Sequence, residues 1–172
     1  MSVRRVCVVG NLASGKSYFS KMVGDELEIP VTHLDDFYWR SDWTIAPGGE
    51  FRDKCSEVLN QEEWVMDGSY PEFNMIRRFR RADAVVFIDI PIKSCFDQMN
   101  RRRAEVRDDF PANEHEIKFP FLIGVAFVAR VILFNVLDRA FIMNAVRRSK
   151  TPFIHIHTWE EEDAALALLR DM

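Results

Sequence analysis

Eight consecutive residues, Gly10-Asn11-Leu12-Ala13-Ser14-Gly15-Lys16-Ser17, carry the most specific chemistry in the chain. They fit G-x-x-x-x-G-K-[ST], a spacing that suits a phosphate ester. Glycines let the backbone wrap its N–H groups around an anion, and a helix starting at the last residues aims its positive end at the same point. Gly10, Asn11, Ala13, Ser14, Gly15, Lys16 and Ser17 are therefore the candidate cradle. Lys16 has the reach for β- and γ-phosphates, and the Ser17 hydroxyl suits Mg²⁺.

Such a cradle needs a second carboxylate at a strand end to hold the magnesium shell. Asp67, closing "WVMD", and Asp89, within "VFID", compete for that role. Asp67 is favoured because Gly68 follows it and permits close approach, and ligands of open α/β sheets bind outside the carboxyl ends of strands. Asp89 falls one residue before its strand's expected end, where it would cap or pair.

These residues need a scaffold, and apolar runs alternating with helical patterns supply one, a parallel α/β sheet. Val6–Val9, Ile29–Leu34, Trp64–Gly68, Ala84–Pro91 and Thr151–His157 read as five strands. Phe19, Met22, Val23 and Leu27 mark a helix beginning near Gly15, and Phe51, Cys55, Val58 and Leu59 mark another. A third helix covers about Ile92–Val106, and "EEEDAALALLRDM" closes the chain as a helix with acids in its first turn, where they suit the dipole. The polar Arg107–Lys118 stretch reads as an exposed loop. Phe119–Met143 is strongly apolar, but Arg130, Asn135, Asp138 and Arg139 interrupt it, so it reads as a core helix and not a membrane span. The three layers are expected to form one domain over residues 1–172.

With 172 residues, 48% hydrophobic and 29% charged, the composition is that of an ordinary globular protein. A net charge of −4 argues against general nucleic-acid binding. Arginine outnumbers lysine, 17 to 6, with clusters at residues 77–81, 101–103 and 147–148; its planar fork suits phosphate oxygens. Cys7, Cys55 and Cys95 are odd in number, widely spaced and set in apolar patterns, so buried thiols are expected. The apolar run at the start is too short for a secretory signal, which points to the cytoplasm.

With these residues in place, the chain resembles the nucleoside-monophosphate-kinase branch of P-loop proteins, the adenylate-kinase-like group. More narrowly it is similar to small bacterial proteins labelled topology modulation proteins. "GNLASGKS", "HLDDFYWRSDW", "WVMDGSYP" and "VVFIDIP" carry the likeness, in the family's order and across essentially the whole chain. The resemblance implies a three-layer fold whose five parallel strands are ordered 2-3-1-4-5. It also implies ATP, Mg²⁺ and a phosphoryl acceptor, with a short helical lid around residues 101–148.

In that likeness Asp67 and Gly68 match the "DG" motif with its magnesium-associated aspartate. Asp35 and Asp36 match an acidic pair near acceptor and metal, and Trp39 with Trp43 match a "W-x-x-x-W" that could wall an acceptor ring. Arg102 aligns with the second of two lid-proximal arginines, whereas Gln98 stands in place of the first, which stacks on adenine. Arg139 matches an arginine on the post-lid helix, and Arg130 is a further candidate because its apolar setting demands a partner. No cysteine quartet for zinc is present, so long-lid members fit less well.

The expected activity is ATP-dependent phosphoryl transfer to a small acceptor, with Lys16, Arg102 and Arg139 neutralising charge. An alcohol acceptor would use Asp35 or Asp36 as orienting group or base; a nucleoside monophosphate would be gripped by Arg77 or Arg78. An ATP-binding regulator and a nucleic-acid-associated ATPase remain alternatives. Oligomeric state is not legible.

Overall fold

The computed structural model describes residues 2–40, 44–71, 73–104 and 128–172. Trp43 and the expected loop at 107–118 lie outside these residues. Five parallel strands form the sheet, β1 (Arg5–Gly10), β2 (Val31–His33), β3 (Trp64–Asp67), β4 (Ala84–Ile88) and β5 (Phe153–Ile156), in the order β2-β3-β1-β4-β5. Around the sheet lie the helices α1 (Lys16–Leu27), α2 (Asp35–Tyr38), α3 (Gly48–Leu59), α4 (Met75–Arg81), α5 (Ile92–Ala104), α6 (Arg139–Ser149) and α7 (Glu162–Asp171). A 3₁₀ turn, Trp159–Glu161, leads into α7.

The central strands are apolar at nearly every position because helices cover both faces of the sheet. Alternation within each strand then divides the core. Cys7, Val9, Trp64, Met66, Val85 and Phe87 face one side, where α3, α4 and α6 supply Phe51, Cys55, Phe79 and Ile142. Val6, Val8, Val65, Val86 and Ile88 face the other, against Phe19 and Val23 of α1, Cys95 of α5 and Leu169 of α7. Full burial of a ring such as Phe79 is worth roughly 2–3 kcal/mol. The three cysteines are buried and free, as expected, and burial lifts the Cys7 thiol to about 12.

One element is added to those the sequence suggests, and one expectation needs correction. Residues 77–81 are part of a helix, α4, that the hydrophobic pattern does not announce: Met75 and Phe79, one turn apart, face the core with Ile76 half-buried beside them, and arginines fill the other four positions. The apolar stretch ending at Met143 is not a core helix in its described part. Residues 128–133 are helical and run through a π-helical turn, Phe134–Asp138, into α6, burying Val131, Phe134 and Ile142 while Ile132, Leu133, Val136, Leu137 and Phe141 stay exposed. No described helix is long and apolar enough to cross a membrane.

Register brings the chemistry together. Val8 pairs with Asp67 and Gly10 with Ile88, so the carboxyl ends of β1, β3 and β4 share one edge with the loop that leaves β1.

Candidate active site

The residues between β1 and α1 form a cradle. Gly10 begins it, packed so closely that a Cβ there would lie 2.7 Å from Ser14 Oγ and 2.8 Å from the Ile88 carbonyl. Ala13 and Gly15 adopt left-handed backbone, φ 57° and 95°, which turns the chain sharply into the helix. Asn11 is buried and holds the loop from within: its side-chain oxygen accepts from the Leu12 N–H at 2.7 Å, and its amide donates to the Val131 carbonyl at 3.1 Å. The first helical bond runs from Phe19 N–H to Gly15 O, so the amides of Lys16 and Ser17 precede the ladder and stand ready for an anion.

One hydrogen bond braces the cradle from behind, and a buried carboxyl lies beside it. Trp159 donates its indole N–H to the Ser14 carbonyl at 2.9 Å. Glu162 is buried close to Gly15; burial, with the neighbouring Asp163, pushes its carboxyl above the usual range. Lys16 lies near enough to Cys95 for its charge to act on the thiol, which burial raises to about 11 with Asp89 reinforcing and Lys16 opposing.

Asp67 ends β3 with its side chain 4% exposed. Its Oδ2 lies 2.8 Å from His33 Nδ1, while Oδ1 is buried with no hydrogen-bond partner. That orphaned anionic oxygen is what a divalent cation needs, so the donor set of Asp67 with the Ser17 hydroxyl fits Mg²⁺. The Asp67 bond is the main reason His33 is held above its ordinary pKa; burial opposes it, and the charges of Asp67, Asp36 and Asp35 add to it. Gly68 follows at φ 136°, pressed against Leu34.

Asp35 and Asp36 open α2 at the carboxyl end of β2, on the same sheet edge as Asp67. Asp35 Oδ1 accepts from the Tyr70 hydroxyl at 2.6 Å. Trp39 is exposed, bridges Ile45 and meets Tyr38 edge-on, beside a cluster of Tyr38, Phe51, Tyr70 and Phe73 rings.

The arginines separate. Arg78 does not face a ligand: it is fully buried and donates to the carbonyls of Gly68, Ser69 and Tyr70, so its role is to hold the loop after Asp67. Arg77 is exposed and turns to α3, donating to Ser56 Oγ at 3.4 Å. Arg130 finds its partner in Asp138 at 2.5 Å. Arg139 donates through Nε to both Asp89 oxygens, at 3.2 and 2.9 Å. Arg102 falls in α5, and its side chain lies outside the described set. Asp89 follows the last residue of β4, so it too stands at a carboxyl end, where it pairs with Arg139 and with His155 Nε2 at 3.0 Å.

No family model matches the chain, and no curated protein matches it in sequence. Solved structures do. A shikimate kinase from Acinetobacter baumannii in complex with shikimate superposes with a TM-score of 0.64 at 13% identity, over 97% of this chain and 91% of that one. A shikimate kinase from Bacteroides thetaiotaomicron gives 0.58 at 14% identity, over 99% and 98%. A gluconokinase from Sinorhizobium meliloti gives 0.57 at 13%, over 98% and 94%. At these identities the likeness establishes the fold alone, a five-stranded parallel α/β architecture shared with these proteins.

Proposed function

We propose that the chain is an ATP- and Mg²⁺-dependent phosphotransferase acting on a small acceptor, a nucleotide, nucleoside or similar metabolite, in the cytoplasm. One observation carries this reading: a phosphate cradle opens at the sheet edge where Asp67 keeps a buried carboxylate oxygen without a partner. The similarity of fold to kinases of small metabolites supports it. Within that class the adenylate-kinase-related branch is the narrower assignment, with residues 1–172 as one domain and residues 101–148 as its lid.

Each step rests on a named group. The amides of the Gly10–Ser17 loop and the Lys16 ammonium bind the β- and γ-phosphates and fix their line of transfer. Ser17 and Asp67 would hold Mg²⁺, which when bound neutralises charge on the phosphate oxygens. If the acceptor is an alcohol, Asp35 or Asp36 orients its hydroxyl or takes its proton, and Trp39 with Gly68 lines the acceptor side. Arg139 and Arg102 stabilise charge growing on the transferred group, and Arg77 assists if the acceptor carries a phosphate.

The test is a screen of nucleosides, nucleoside monophosphates and metabolite alcohols, reading acceptor-dependent ADP release with Lys16→Ala alongside. Release by the parent chain that falls at least about a hundredfold in a folded Lys16→Ala variant supports the reading. Tight Mg-ATP binding without turnover on any acceptor would point to a regulator. Hydrolysis stimulated by DNA and suppressed steeply by salt would point to a nucleic-acid-associated ATPase.

A further inference from the structure

The carboxyl ends of β4 and β5 hold a group of side chains that the phosphotransfer scheme does not use. His155 lies in β5 and His157 two residues on, just past the strand's end, and Asp89 follows the end of β4 beside them. One ligand atom from each lies within 4.8 Å of the other two. The geometry points to a site for one transition-metal ion of the zinc type, bound by Asp89, His155 and His157 and separate from the Ser17 and Asp67 pair.

Donor chemistry sets the class of metal. Two imidazoles and one carboxylate suit Zn²⁺, Co²⁺ or Ni²⁺, whereas Mg²⁺ prefers oxygen ligands throughout. Zn–N and Zn–O bonds of about 2.0–2.2 Å at a tetrahedral angle put neighbouring ligand atoms about 3.4 Å apart. Asp89 Oδ2 and His155 Nε2, at 3.0 Å, are already close to that spacing. His157, the exposed member, holds its ligand atom within 4.8 Å of both.

The other two members are held in place. The His155 ring stacks on Phe87, with centroids 5.1 Å apart and planes 9° apart, and the Asp89 side chain is 8% exposed, its residue tied to β5 by its own N–H donating to the Ile156 carbonyl at 2.8 Å. Three protein ligands would leave a coordination position open. Arg139 occupies the same Asp89 carboxylate, so the ion and the guanidinium compete, and metal binding frees Arg139.

Titration of the full chain, without an affinity tag, with Co²⁺ and Zn²⁺ tests this. One equivalent of Co²⁺ should give the intense visible bands of a four- or five-coordinate nitrogen-containing site, and Zn²⁺ should displace it. His157→Ala and Asp89→Asn should each weaken binding about tenfold or more, Asp67→Asn should leave it unchanged, and Arg139→Ala should tighten it. Binding indifferent to His157→Ala and Asp89→Asn, binding lost in Asp67→Asn, or no saturable Co²⁺ binding would each overturn the site. Unchanged affinity in Arg139→Ala would overturn the competition.

Discussion

Trp159 and Ser14 are 145 residues apart in sequence, yet the indole N–H of one donates to the backbone carbonyl of the other at 2.9 Å. A carbonyl in a phosphate cradle would repel the anion if it turned inward, and this bond anchors it on the far side. Trp159→Phe keeps the ring and removes the donor. The expected loss is about 1 kcal/mol, or about fivefold weaker Mg-ATP binding by calorimetry, with secondary structure unchanged. An unaltered dissociation constant would mean that the Ser14 carbonyl needs no anchor.

Gly68 allows the turn after Asp67, and its replacement should be felt at once. A Cβ there would meet Leu34 Cβ at 2.9 Å on a backbone with φ 136°, which L side chains rarely adopt. Gly68→Ala is expected to cost about 2 kcal/mol and to lower Tm by about 6 °C in thermal unfolding. A melting curve that matches the parent would refute the claim of close approach.

Arg78 is expected to matter more than any exposed arginine. Arg78→Met preserves the apolar stem and takes the guanidinium donor from three carbonyls, those of Gly68 and Ser69 at buried bonds and that of Tyr70 at a part-buried one. A loss of about 3 kcal/mol is expected in urea unfolding, with faster amide exchange across residues 68–70. Stability within about 0.5 kcal/mol of the parent would argue that water replaces the guanidinium.

Asp83 should give stability a pH dependence. Burial pushes its carboxyl up, but hydrogen bonds from the Arg5 side chain and the Arg4 and Arg5 backbone, with the Arg5 charge, outweigh this and hold it below its ordinary value. A folded-state value below the unfolded one means the contribution is full above the unfolded value near 4 and is lost as pH falls through the lowered one. Asp83→Asn should therefore be less stable at pH 7, and the gap should narrow in acid. A gap constant from pH 7 to pH 2 would contradict this.

How much of this was readable in sequence depends on distance along the chain. β1, β4 and α1 follow from apolar runs and helical spacing, because parallel strands buried on both faces leave little room for polar residues. The cradle is local, eight residues long, and its left-handed turn at Gly15 follows from that glycine, whereas the one at Ala13 does not follow from residue type. α4 stayed hidden because four of its seven residues are arginine. The same charges made Arg78 look like a phosphate ligand, since sequence reveals charge but not burial. Trp159 behind Ser14, and Arg139 with His155 on Asp89, depend on which strands become neighbours, and residue types cannot carry that information.

The π-helical turn at Phe134–Asp138 has a directional consequence. Arg139 N–H bonds back five residues to the Phe134 carbonyl, one more than an α-helix uses. An extra residue in a helix rotates everything after it by about 100° relative to what came before. Upstream, Val131 offers its carbonyl to Asn11 in the cradle; downstream, Arg139 reaches Asp89. The length of one turn, more than the chemistry of its side chains, thus sets the angle between those two contacts, so one helix can serve both the cradle and the β4–β5 edge.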